Sequence, residues 1–413
     1  MYDFLRISPW CSNAKRSVRS YSFKNIMNIF YTAFMDLEKS GPKSHILEII
    51  KWWEKAGHVI TLFVPRLSQP TAPKKNSNTI FIPTVDISSI KIIIYQIMLV
   101  FYLCAYFFKN NRKLELIYDR LYILPIVPIL FARIFRINHV IELNGVIREE
   151  MAMNNNSKVQ IAISTLLQRF NYRYTDKIIC VTEGIKRDLI DYFKVDEKKI
   201  HVVSNGVDTN MFRPVSSDFV LRKYGIKKNQ LLVGFVGVFF KWQGLNNLIN
   251  SIPLVIDKYQ NVKFIIVGDG KEYNNLINLS RRLGVKNKVV FTGNVSHDEI
   301  PYYINSFDIC VAPFTRGRNV KTGLSPIKLY EYLSCGKPVV VSDIPGLKEC
   351  VDTGNCGVVV EPDNSVELSK AIYRLLIDTK LRKKMGKNAR KLAEHNYSWE
   401  RIARRVMRVI GLR

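Results

Sequence analysis

Ser204–Asp218 reads SNGVDTNMFRPVSSD, a polar, turn-rich stretch lying between two runs of one repeating pattern. Before it, short β-branched segments alternate with longer segments of helical spacing: MNIFYT, HVITLFVP, TIFIPT, LELIYD, HVIELNG, KIICVT and KIHVVS. After it the alternation restarts with LLVGFVG, VKFIIVGDG, KVVFTGN, DICVAPF, KPVVVSD and CGVVVEP. Apolar runs bounded by turn residues are strands buried on both faces, and strands separated by helices pair in parallel. The fold expected is α/β, with two Rossmann-like, doubly wound parallel-sheet domains presenting their strand ends to a central cleft, where such sheets bind ligands. The expected boundaries are a basic N-terminal extension over 1–26, a first domain over 27–213, a second over 214–395, and a C-terminal helix over 396–413 that packs back toward the first domain.

The chain has 413 residues, 47% of them apolar, enough for two cores. Its net charge of +27, from 62 Lys and Arg against 35 Asp and Glu, implies attraction to a polyanion: nucleic acid, an anionic membrane face or a phosphorylated substrate. No helix-turn-helix, zinc-finger or RNP-like pattern supports nucleic acid, which is not expected as a partner. Seven scattered cysteines without a C-x-x-C pair suggest neither a zinc site nor a disulfide framework, and a reducing cytoplasm is the natural setting. Six histidines, none paired at ligand spacing, offer no metal site. Residues 1–26 are basic and lack the features of a secretory signal.

Ile92–Phe108 carries no charge and approaches the length of a membrane span. Strand patterns on both sides belong to one sheet, so the run reads as a buried or membrane-grazing helix. A second apolar run, RLYILPIVPILFARIFR, is bordered by Arg120, Arg133 and Arg136, as the first is by Lys109, Arg112 and Lys113. Basic residues around apolar helix surface suit an anionic lipid interface, and the same helices would serve equally as sheet-covering core.

The segment with most chemistry is GLSPIKLYEYLSCGKPVVVSD, Gly323 to Asp343. Ser325 suits an N-cap and Pro326 a first helical residue, which places a helix start at the cleft, with free amides for a diphosphate beginning near Ile327. Lys328 in the first turn could meet the same phosphates, and Glu331 three residues on could accept both hydroxyls of a ribose. Equally, such a pair is common on a solvated helix face.

SPIKLYEYLSCGKPVVVSD resembles the donor-site motif of glycosyltransferase family 4, in the branch where S-P-x-K-x-x-E replaces Glu-x7-Glu. The resemblance implies a GT-B fold and retaining transfer of a sugar from a nucleotide-sugar donor, with no cofactor and no metal. It gives Glu331 the donor ribose, and Lys328 with the amides after Ser325 the diphosphate; Gly323 stands where the first Glu would be. GFVGVFFKWQGLNNLI is similar to the family's G-R-L-x-x-x-K-G segment, with Gly237 and Gly244 matching its glycines. Val238 and Gln243 replace its basic pair, leaving Lys241 as the substitute charge at the leaving group. FIIVGDGKEYNNL, with Gly268, and the backbone near Val295 are family-like at the nucleotide; Gly268 and Gly270 are also what a tight strand-to-helix turn requires.

In the first half, the segment ending in NGVDTNMFRP matches the family stretch before the linker, with Asn205, Gly206 and Asp208 shaping a turn. HVIELNGVIREE resembles the branch reading E-x-N, where Asn144 takes the place of the catalytic histidine of many relatives. Glu142, Asn144, Arg148 and Glu149 are the acceptor-side candidates, or else an ordinary polar loop. Gly41-Pro42 stands in for a Gly-Gly pair, and Ser40 to Ser44 could approach a sugar or phosphate. The implied mechanism is same-face displacement, with the leaving phosphate deprotonating the incoming hydroxyl and the protein stabilising its charge. The acceptor implied is a carbohydrate or a lipid-linked molecule of cell-surface polysaccharide or glycolipid synthesis, on the inner face of the cytoplasmic membrane. An epimerase or phosphorylase on the same scaffold, or a basic nucleic-acid-binding protein, are the competing readings.

Overall fold

The computed structural model describes residues 26–35, 37, 43–67, 78–85, 90–110, 113–120 and 126–411. The basic extension up to residue 25, Ser40 to Pro42, Arg112 and the stretch 121–125 lie outside the described residues.

The first half runs β1 (Asn28–Ala33), α1 (Lys43–Lys55), β2 (Val59–Pro65), β3 (Asn78–Ile82), α2 (Lys91–Lys109), β4 (Leu116–Arg120), α3 (Val127–Phe135), β5 (Asn138–Leu143), α4 (Ile147–Met153), α5 (Lys158–Tyr174), β6 (Lys177–Cys180), α6 (Glu183–Asp191) and β7 (Ile200–Val202). The second runs α7 (Asp218–Lys223), β8 (Leu231–Val236), α8 (Leu245–Lys258), β9 (Val262–Val267), α9 (Tyr273–Arg282), β10 (Val289–Phe291), α10 (Ile300–Ser306), β11 (Ile309–Ala312), α11 (Gly317–Thr322), α12 (Ile327–Ser334), β12 (Val339–Ser342), α13 (Leu347–Gly354), β13 (Gly357–Val360), α14 (Ser365–Ile377), α15 (Thr379–Leu392) and α16 (Trp399–Ile410).

Every strand read from the sequence is present, and every strand pairing is parallel. The sheets have the orders β3-β2-β1-β4-β5-β6-β7 and β10-β9-β8-β11-β12-β13. Each reverses direction once, between β1 and β4 and between β8 and β11, and a crevice opens at such switch points. Register sets Thr32 beside Asp119 and Arg120 beside Glu142 at the carboxyl ends of β1, β4 and β5.

One face of the first sheet is covered by α1 and α16, with Trp53, Ile402, Ala403 and Val406 in a common core. The C-terminal helix thus lies on the first sheet, and the Trp53 indole N–H donates to the Ala403 carbonyl at 3.5 Å. The opposite face is covered by α2 and α3. The run 92–108 falls within α2, which is long and apolar enough to cross a membrane. Tyr95, Leu99, Leu103 and Phe107, at i, i+4, i+8 and i+12, form the stripe it buries on the sheet. Its other faces leave Ile93, Ile97, Val100, Phe101 and Phe108 exposed.

The chain passes between the sheets twice, after β7 and again after α15. The two crossings pair: Val207 N–H donates to Tyr397 O at 2.8 Å, and Trp399 N–H returns to Val207 O at 3.1 Å. Gly206 is required there, because a Cβ on it would lie 2.8 Å from the Trp399 ring.

Candidate functional site

The segment SPIKLYEYLS forms α12, but its start differs from expectation. Ile327 is the first helical residue, Pro326 occupies the cap position with φ −78° and ψ 126°, and no side chain caps the helix. The Ser325 hydroxyl is used elsewhere: it accepts the Asn205 N–H at 2.9 Å and shares a hydrogen bond with the Tyr330 hydroxyl at 2.9 Å. Ser325 is therefore an anchor between the two halves, and the uncapped start of α12 keeps the partial positive charge of a helix N-terminus.

Lys328 projects from the first turn of α12 and donates to Gln243 Oε1 at 2.6 Å, with its ammonium 3.9 Å from the Phe235 ring centre. Gly237, at the end of β8, has φ 145°, and a Cβ there would sit 2.3 Å from the Lys328 Nζ; the missing side chain is what admits the ammonium. Three expected residues, Gly237, Gln243 and Lys328, thus meet at one point. Glu331, one turn on, is buried at 8% exposure. Burial lowers Lys328 to about 7 and raises Glu331 to about 7, each opposed by the other's charge. Gly268 also reaches this place, since a Cβ on it would meet the Gly237 carbonyl at 2.1 Å. Val295 is half-buried against the core of the second sheet, and Lys241 stands exposed on the turn that leads to Gln243.

At the strand ends of the first sheet, Glu142 is the centre of a buried polar cluster. Its carboxylate accepts from Asn144 Nδ2 at 2.6 Å and from the Tyr118 hydroxyl at 2.8 Å. His45 Nε2 lies 2.8 Å from it and Arg120 Nη1 3.4 Å. Burial alone would raise the Glu142 pKa, but the charges of His45 and Arg120 and the hydrogen bonds hold it well below the usual range. Beside it the Asp119 carboxyl, which accepts from Thr32 Oγ1 at 2.6 Å, is raised by burial to about 7. Of the acceptor-side candidates, Glu142 and Asn144 come together. Arg148 turns away to a bidentate pair with Asp188, and Glu149 pairs with Lys321 of the second half at 3.3 Å. Arg120, named above among residues bordering an apolar surface, is instead largely withdrawn from solvent, because β4 ends with its side chain pointing at Glu142.

His45, Tyr118, Asp119 and Arg120 were missed as site residues. The sequence signal was polar residues closing otherwise apolar strands: IYDR in β4 beside IEL in β5. On the flank, Gly184 packs so near α11 that a Cβ would meet the Thr322 carbonyl at 2.3 Å. A cavity of about 420 Å³ opens there, lined by Arg148, Arg187 and Tyr192 on one side and Lys321 and Thr322 on the other. Among the described residues no group of three or more His, Cys, Asp or Glu is placed to hold a metal ion.

Residues 39–211 match the family model described as Glycosyltransferase Family 4, and residues 216–392 the model described as Glycosyl transferases group 1. An uncharacterized glycosyltransferase of Methanocaldococcus jannaschii is 30% identical over 238 residues, 56% of this chain and 59% of that protein. The capsular polysaccharide biosynthesis glycosyltransferase CapM of Staphylococcus aureus is 26% identical over 234 residues, 54% of this chain and 60% of its own. Both alignments span about three fifths of the relative's length. The Anabaena protein HepE, solved with UDP and with UDP-glucose, superposes with a TM-score of 0.69 at 20% identity, over 93% of this chain and 100% of that one. Each half thus matches a glycosyltransferase domain model, and the whole chain shares the fold of HepE.

Proposed function

We propose that the protein transfers a sugar from a nucleotide-sugar donor, held by the second half at the start of α12, to an acceptor hydroxyl presented by the first half near Glu142 and Asn144. The observation that carries this reading is the Gly237–Gln243–Lys328 contact beside an uncapped helix start, with Glu331 one turn on. A half-buried ammonium and free helix amides suit a diphosphate, and a carboxylate one turn away suits a ribose. HepE, which shares the fold, binds UDP and UDP-glucose. The transfer retains anomeric configuration: the leaving phosphate takes the acceptor's proton while Lys328, Lys241 and the helix amides meet the charge it develops, the place a metal would otherwise fill. Gly237, Gly268, Gln243 and Val295 shape the nucleotide side, Ser325, Pro326 and Ile327 the helix start, and Glu149 the closing edge of the acceptor side.

The acceptor is a carbohydrate or lipid-linked molecule of cell-surface polysaccharide synthesis, the role named for CapM, and the first half rests on the cytoplasmic face of a membrane. Its support is the exposed apolar surface of α2, joined by Leu130 and Ile134 of α3 and by Val159, Ile163 and Leu166 of α5, with Lys109, Lys113 and Arg136 nearby in sequence. A thermal-shift panel of UDP, GDP, ADP and CMP sugars tests the donor, since a ligand at 100 times its dissociation constant adds about 2.7 kcal/mol. No shift with any member would overturn the assignment. Vesicle co-sedimentation tests the membrane: binding should rise with anionic lipid and fall with salt. A protein that sediments with no vesicle at low salt has a soluble acceptor.

A further inference from the structure

His45 lies outside the donor contacts, yet it touches Glu142, Asn205 and Trp399 at the floor of the cleft. It comes from the third position of α1, is 4% exposed, and its two ring nitrogens face opposite ways. Nε2 lies 2.8 Å from Glu142 Oε1 and Nδ1 lies 2.8 Å from Asn205 Oδ1. The amide of Asn205 has one possible orientation, because its Nδ2 donates at 2.7 Å to the Ser325 carbonyl, which can only accept. Its Oδ1 therefore faces the histidine, and Nδ1 must be the donor. Nε2 is in close polar contact with the Glu142 carboxylate without hydrogen-bond alignment. The ring thus spans the Glu142 carboxylate and the Asn205 amide. Around it stand Glu142 from β5, Arg120 from β4 against the same carboxylate, Asn205 from the first crossing, and the Trp399 ring from the second, edge-on at 4.9 Å.

We infer that His45 is a positioning residue for glycosyl transfer: it ties the Glu142 carboxylate to Asn205 and, through the two bonds from Asn205 to Ser325, fixes the start of α12 relative to the strand ends of the first sheet. This rests on the reading of α12 as the donor site. Burying a polar bridge of this kind is weak support for stability compared with apolar packing in the same volume. What it supplies is a set distance and orientation between the strand ends of the first half and the start of α12 in the second. The chain Glu142–His45–Asn205–Ser325 runs from where the acceptor hydroxyl is presented to where the diphosphate is held, and catalysis by positioning depends on that separation.

The test uses the full chain and titration calorimetry with whichever of UDP, GDP or ADP the wild type binds, alongside the matching nucleoside. His45→Phe keeps an aromatic ring against Trp399 and removes the bond to Asn205 and the polar contact with Glu142. It should weaken the diphosphate by about tenfold, the scale of one lost hydrogen bond, and leave the nucleoside within about twofold. Asn205→Ala should do the same, and the double variant should be no weaker than the worse single, because both break one chain. Should His45→Phe lack a cooperative melting transition, His45→Gln, which keeps a polar side chain beside Glu142, should show the same selective loss. Unchanged diphosphate affinity, an equal loss for the nucleoside, or losses that multiply in the double variant would each overturn the inference. Failure of the wild type to bind any of the three diphosphates would instead overturn the donor reading, and the inference with it.

Discussion

Replacing Lys328 with Met separates what the residue does for the fold from what it does for the donor. Its pKa falls from 10.5 to about 7, so holding the ammonium in place costs on the order of 3 kcal/mol, once the solvent at a half-buried position is allowed for. The folded value lies below the unfolded one, so the folded chain gives up this proton first. The cost is complete below about pH 7, shrinks as the pH rises and is gone above about 10.5. Met loses the bond to Gln243, worth about 1 kcal/mol, and the ammonium's place over the Phe235 ring, worth about another 1 kcal/mol. The ligand-free variant should therefore be more stable than wild type by about 1 kcal/mol near pH 6.5, with the gain fading toward pH 10. Turnover should fall about a hundredfold, because the charge is needed where the diphosphate leaves. Melting curves at several pH values and initial rates of nucleotide release measure the two effects. A variant less stable than wild type at pH 6.5, or one that keeps turnover within a few-fold, would refute the assignment.

Glu331→Ala should abolish transfer with the fold intact, at a cost of about 2 to 4 kcal/mol in the transition state, as read by initial rates and a melting curve. Gly237→Ala places a methyl where the Lys328 ammonium sits and strains a φ of 145°, so donor affinity in calorimetry should fall together with stability, by at least about 1 kcal/mol. Gly184→Ala would press a Cβ onto the Thr322 carbonyl and move α11 off α6; turnover should drop while the nucleoside still binds, and unchanged turnover would show that this contact does not matter.

The strands were legible because both faces of a parallel sheet are covered, so each reads as an unbroken apolar run such as FIIV or VVVS. The donor contacts were legible in part, since Lys328 and Glu331 are neighbours on one helix. The start of α12 was misread because local preference gives Ser325 to the cap, whereas its hydroxyl is claimed by Asn205, 120 positions away. His45 stayed hidden for the same reason: its partners are Glu142 and Asn205, and nothing near it in the chain distinguishes it from a histidine on a buried helix face. The withdrawal of Arg120 from solvent follows from strand register, which fixes the partner across a sheet and leaves no mark in a single sequence.

The paired crossings have a mechanical consequence. Two chain segments joined side by side by the Val207–Tyr397 and Trp399–Val207 hydrogen bonds form a short ribbon, and a ribbon bends readily about one axis while it resists twisting about its length. The two halves can open and shut like a book on its spine, whereas a single linker would let one half swivel on the other. On the proposed function, a nucleotide sugar would then meet one opening coordinate, and aligning it with an acceptor would need closure alone, without a search over relative rotations.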